Sequence, residues 1–102
     1  MPLLVPLAEG FEEIEAIAVI DILRRGGVEV VTASTGKNPV TGSHGIPVTA
    51  DRILDISAKY SAIVLPGGAQ GTQNLKNDRR ILDLVRIISN NSGLTAAICA
   101  AP

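Results

Sequence analysis

The chain alternates short apolar runs with amphipathic stretches, and the two periods separate into strands and helices. Leu3, Leu4, Val5 and Leu7 form a run that stops at Glu9-Gly10 and reads as a buried strand. Pro6 lies within it and cannot donate to a ladder, so it belongs at the strand's end or on an unpaired side. FEEIEAIAVIDILRRGG then reads as a helix, with acids in its first turn, Arg24 and Arg25 in its last, and a glycine pair to stop it. Its middle (Ile14, Ile17, Ala18, Val19, Ile20, Ile22, Leu23) is apolar nearly all round, as in a helix covered both by a sheet and by a second subunit. Val28 to Ala33 predicts a second strand. Glycine and proline punctuation between Ser34 and Asp51 predicts a small β-hairpin or flap around Val40-Thr41 and Ile46 to Val48. Asp51 to Tyr60 reads as a short helical or turn connection. Ala62 to Leu65 is a third strand, running straight into Pro66-Gly67-Gly68. Ile81, Leu84, Val85 and Ile88 make the stripe of a second long helix, capped by Asn77 or Asp78 and ending near Ser89, with Arg79, Arg80, Asp83 and Arg86 facing water. The last run, Leu94 to Cys99, reads as a buried strand.

Strands alternating with helices predict an α/β fold with a parallel sheet covered by helices. The 102 residues suffice for one small domain and not for two. Composition then narrows the classes of function. With nine basic against ten acidic residues, no basic run, one Phe, one Tyr and no Trp, nothing favours nucleic acid. No apolar run approaches the ~18 residues of a membrane span, and the first residues lack the basic start of a secretory signal. A single cysteine forms no internal disulfide and has too few companions for structural zinc. These features predict a cytoplasmic protein without metal.

The candidate chemistry gathers at three places. Cys99 sits in LTAAICAAP, where Ala97 and Ala101 occupy the positions that glycines take in a serine nucleophile elbow. The same residues also suit a small apolar cysteine buried in a strand. Glu15 shares a helix face with Ala18, Val19 and Ile22, an apolar setting that can hold a carboxyl protonated. Glu12 and Glu13 have apolar neighbours too, and an acidic first turn also complements the helix dipole. Gly67-Gly68 can turn backbone N–H groups toward a ligand at the carboxyl end of a strand, or be a plain loop. His44, the only histidine, is either an exposed loop residue or an anion contact from the flap.

With GFEEIE, LPGG, GTQNL and AAICAAP in this order, the sequence resembles the amino-terminal portion of the ThiJ/PfpI superfamily, in the branch of the Parkinsonism-associated protein deglycase and its bacterial relatives. The resemblance covers essentially all 102 residues. It implies a flavodoxin-like (Rossmann-like) sandwich, incomplete in this chain: residues 1–102 are the amino-terminal part of one domain, ending at the nucleophile elbow. It also implies that Cys99 is the reactive nucleophile, that Glu15 hydrogen-bonds it as a protonated acid, and that the Gly68 and Ala100 amides form an oxyanion pocket. His44 and Arg25 fall at basic positions of the family, making them the possible anion contacts. The histidine that can assist the cysteine in the family lies beyond these residues, so His44 does not take that role.

The expected activity is cofactor-independent and glyoxalase- or deglycase-like, on small reactive carbonyls. The alternatives are a redox sensor or chaperone acting through Cys99 oxidation, and a PfpI-like intracellular cysteine peptidase. A homodimer is expected, as is a complementary remainder of the chain to cover the apolar surfaces that an interrupted sheet leaves bare.

Overall fold

The computed structural model describes residues 1–97. Five parallel strands form one sheet in the order β5-β2-β1-β6-β7, and a two-stranded antiparallel hairpin, β3-β4, stands beside it. In chain order the elements are β1 (Leu3–Leu7), α1 (Glu13–Arg25), β2 (Val30–Ser34), β3 (Val40–Thr41), β4 (Pro47–Val48), β5 (Arg52–Ile53), β6 (Ala62–Leu65), α2 (Ala69–Lys76), α3 (Arg79–Asn90) and β7 (Leu94–Ala97). The sandwich follows from the period of two along the strands. Leu3, Val5 and Leu7 of β1 pack with Val30, Ala62 and Val64 under Ala16 and Ile20 of α1. Leu4, Val31, Ala33 and Ile63 face the other way, against Leu75 of α2 and Ile81, Leu84 and Ile88 of α3. Each face of the sheet therefore carries its own core, as a doubly wound fold requires.

Pro6 lies in a central strand, on the side where it does no harm. Leu3 N–H donates to Glu29 and Leu7 accepts from Thr35, so the odd residues of β1 bond toward β2. The missing N–H of Pro6 points toward β6, and that ladder pairs only Leu3 with Ala62 and Leu4 with Ile63. Beyond Leu4 the two strands part. The chain turns back at this place, with β2 on one side of β1 and β6 on the other, and in open α/β sheets that switch point opens a crevice at the carboxyl ends.

Three elements depart from the sequence expectations. Residues 51–60 contribute a strand, β5, through two pairs only, Ala33 with Arg52 and Ser34 with Ile53, too short a piece to show alternation. Residues 69–76 form α2, which lacks an apolar stripe; its Gly71 lies where an added Cβ would sit 2.8 Å from the Phe11 Cα, so close approach replaces side-chain packing. The strand of Leu94 to Ala97 is present but exposed at every position, not buried, because β7 pairs only with β6 among the described residues. A smaller departure is Arg80. It leaves the wet face of α3 to donate to the Thr35 carbonyl at 2.6 Å and to pair with the cap residue Asp78 at 2.7 Å. Among the described residues no helix is long and apolar enough to cross a membrane.

Candidate functional site

The crevice between β1 and β6 is framed by two backbone turns that fit together. After β1, Gly10 turns with φ +84°; after β6, Gly68 turns with φ +101°, a region that side chains rarely occupy. A Cβ on Gly68 would lie 2.7 Å from the Gly10 carbonyl oxygen and 2.8 Å from Glu12 N, so only glycine lets these turns touch. The Glu12 N–H donates to the Gly67 carbonyl at 3.0 Å, which fixes the first turn of α1 directly over the Pro66-Gly67-Gly68 turn.

The three acids of that first turn have separate jobs. Glu12 is the N-cap: its Oε1 accepts from Ile14 N at 2.6 Å and Glu15 N at 3.3 Å, two donors that a helix start leaves free. Glu13 is buried, with 6% of its surface exposed, and turns toward the hairpin. There it accepts from the His44 amide at 2.8 Å, the Ile46 amide at 3.2 Å and the Ser43 hydroxyl at 3.3 Å, and its Oε1 meets His44 Nδ1 at 2.9 Å. Desolvation pushes this carboxyl up. The hydrogen bonds from the His44 ring, from the Glu13 amide itself and from the His44 and Ile46 amides outweigh it and bring the group to about 2. Glu15 is half-buried. Its Oε1 is sealed from solvent and has no hydrogen-bond partner among the described residues.

The hairpin closes this corner. Gly10 N–H donates to Thr41 O at 2.9 Å, Ser43 N–H to Phe11 O at 2.8 Å, and Thr41 N–H to the Glu9 carboxylate at 3.0 Å. Gly42 lies against Glu13 so closely that an added Cβ would run into its carboxyl group. The bond to Glu13 and that carboxylate's charge raise His44 above its ordinary value, against an opposing push from desolvation, and Glu12 adds to the rise from 4.0 Å.

The structure thus brings the Gly68 turn against the start of α1, the helix that carries Glu15, and seats His44 on Glu13 and Glu12 at that same helix start. Arg25 is elsewhere, twelve residues along α1 from Glu13 and hence ~18 Å away at 1.5 Å per residue, paired with Asp21 at 2.9 Å. Cys99 and Ala100 lie outside the described residues. Ala97 pairs with Leu65, so the carboxyl end of β7 stands beside the start of the Pro66-Gly67-Gly68 turn. The sequence sets Glu13 beside Glu12 as an alternative to Glu15 and does not single out Ser43. The only signal for them was the Gly-Ser-His-Gly turn, whose partner lies some thirty residues earlier in the chain. A cavity of about 640 Å³ lies at the opposite end of the sheet, between residues 56–61 and the last turns of α3. The ionisable side chains on it are Lys59 and Tyr60, and it is remote from all the groups above. Among the described residues no group of three or more His, Cys, Asp or Glu stands together to hold a metal ion.

Comparison with known proteins agrees with this architecture. The chain is 43% identical over 102 residues to Protein DJ-1 homolog A of Arabidopsis thaliana, covering 97% of this chain and 26% of that protein. It is 36% identical over 96 residues to the glutathione-independent glyoxalase DJR-1.2 of Caenorhabditis elegans, covering 92% and 51%. Among solved structures, Drosophila melanogaster DJ-1beta superposes with a TM-score of 0.94 at 39% identity, over 100% of this chain and 57% of that one. Oxidized Toxoplasma gondii DJ-1 gives 0.92 at 39% identity, over 99% and 56%. The chain spans about a quarter of the plant relative and about half of the other three. The fold is the flavodoxin-like one of these neighbours. The DJ-1/PfpI family matches over residues 1–102, and the chain belongs to that family.

Proposed function

We propose that this chain carries the acid and backbone half of a cysteine-dependent site for small reactive carbonyls, with Cys99 as nucleophile and Glu15 as its proton carrier. The observation that carries the reading is the Glu15 Oε1, a buried carboxyl oxygen without a partner among the described residues, in the first turn of the helix whose start the Gly68 turn touches. A buried polar atom left unpaired costs about 1–3 kcal/mol, a cost usually met at sites that use the atom. The carboxyl end of β7, leading toward Cys99, is directed to the same turn.

The chemistry on an α-oxoaldehyde such as methylglyoxal balances without cofactor. The Cys99 sulfur bonds to the aldehyde carbon, and the C=O electron pair moves to oxygen, facing the Gly68 and Ala100 amides. Each well-aimed amide supplies ~3 kcal/mol in the transition state. Glu15 carries the proton from that carbon to its neighbour while the proton given up by the thiol comes to rest on the neighbour's oxygen, which leaves the thioester of a hydroxy acid; water then releases the acid and restores the thiol. His44, whose side chain is 68% exposed, is the proposed contact for an anionic group. The relative named a glutathione-independent glyoxalase favours this reading. The test is consumption of methylglyoxal by the full-length protein and by Cys99→Ala, which is expected to lose it entirely; equal rates would end the proposal.

A second reading, oxidation of Cys99 as a signal, is favoured by the relative solved in an oxidized state. It predicts partner binding that changes when the protein is oxidised, whether or not carbonyls turn over.

The outer face of α1 carries Ile14, Ile17 and Ile22, which are 78%, 44% and 66% exposed. A second copy covering them is the proposed partner, and Ile17→Glu should halve the solution mass. Exposed β7, beside an apolar cavity of about 250 Å³ lined by Leu65, Leu75, Ile81, Leu82 and Val85, suits further strands and helices of the same protein.

A further inference from the structure

We propose that Glu13 and His44 form a carboxylate–imidazole latch that pins the 42–46 turn at the mouth of the Glu15 site, with Glu13 as its positioning residue. The buried Glu13 carboxylate gathers four donors from one turn: the Ser43 hydroxyl, the His44 and Ile46 amides, and the His44 ring. Gly42 is the only residue type that leaves room for it, because a Cβ there would overlap the carboxyl. Ser43 Oγ also lies 3.2 Å from His44 Nδ1, so carboxylate, hydroxyl and imidazole form a closed set. With Nδ1 engaged, Nε2 is the ring nitrogen left for other contacts, and the ring is 68% exposed.

The latch responds to pH because, among the described residues, no other basic group pairs with the Glu13 carboxylate. Among the described residues the charged groups facing His44 are Glu13 of α1 and, at 4.0 Å, the N-cap Glu12. From the loop after β1, Glu9 holds the hairpin at Thr41. Residues 40–48 contain no other titratable side chain, nor do Gly67 and Gly68. Protonated His44 adds charge attraction to the hydrogen bond; neutral His44 keeps only the bond. His44 is raised from 6.5, so its contribution is complete below about 6.5 and fades as pH rises through the folded value. Glu13 is lowered from 4.5 to about 2, so its contribution is complete above about 4.5 and lost as pH falls through about 2. The latch is tightest between those two ordinary values and loosens on alkalinisation.

That the latch borders a catalytic mouth rests on the function proposed above; the latch itself does not. The experiment therefore uses full-length protein carrying Cys99→Ala, in which thiol chemistry is absent. The His44 ring is titrated by NMR, assigned with His44→Gln, and amide exchange of residues 42–46 is followed over the same pH range after correction for chemical exchange. The expected result is a raised His44 value that returns to ordinary in Glu13→Gln. Turn protection should decline through that value, about tenfold for each pH unit by which it is raised, and lie flat in His44→Gln. A His44 titration indifferent to Glu13→Gln, or a turn equally protected at all pH with and without His44, would overturn the latch.

Discussion

Glu13 and Glu15 stand two residues apart in the same turn of α1 and live in opposite circumstances. Glu13 accepts four hydrogen bonds from the 42–46 turn and is held ionised, at about 2. Glu15 has a sealed oxygen with no partner among the described residues. Both are carboxyls of one helical turn, yet among the described residues only Glu13 has both oxygens engaged. A satisfied carboxylate holds structure together; an unsatisfied one is free to take or give a proton to whatever enters. The contrast sets the proposed latch residue apart from the proposed proton carrier.

The largest expected effect lies at Glu15. Glu15→Gln in the full-length protein should lower the rate of carbonyl consumption by at least ~100-fold, the usual loss for a general acid or base, with an unchanged melting temperature. Equal losses in Glu13→Gln and Glu15→Gln would erase the distinction. Next comes the turn that meets the start of α1. Gly68→Ala must drive a Cβ into Gly10 O and Glu12 N from a positive φ, and should cost about 1–3 kcal/mol in denaturant melts. Glu12→Ala removes the cap that accepts from Ile14 and Glu15, costing ~1 kcal/mol of stability, and should leave the His44 bond to Glu13 in place. The smallest effect is the pH profile of melting. Stability should decline as pH rises through the raised His44 value, and His44→Gln should remove that decline.

Sequence patterns expose some of this architecture and conceal the rest, for physical reasons. β1, β6 and α3 are legible because one or two faces of each are fully buried, so the period of the element is printed on its residues. α2 is not, because Gly71 lets its backbone press on Phe11 without an apolar stripe. Pro6 is tolerated centrally only because its blank side faces the end of the β1–β6 ladder, a relation between two strands. The site divides the same way. The EExE run marks an acidic helix start beside a crevice, and the family resemblance selects Glu15. What distinguishes Glu13 is a hairpin thirty residues on, and no local pattern carries that.

The most direct test compares the reactivity of Cys99 across three full-length proteins: unaltered, Glu15→Gln and Glu13→Gln. The rate of Cys99 carboxymethylation is measured from pH 4 to 10, roughly the span over which a perturbed thiol titrates. The profile should move in Glu15→Gln and stay in place in Glu13→Gln, since Glu15 is the proposed partner of the sulfur and Glu13 is taken up by the 42–46 turn. A profile that moves with Glu13 and ignores Glu15 would contradict the account.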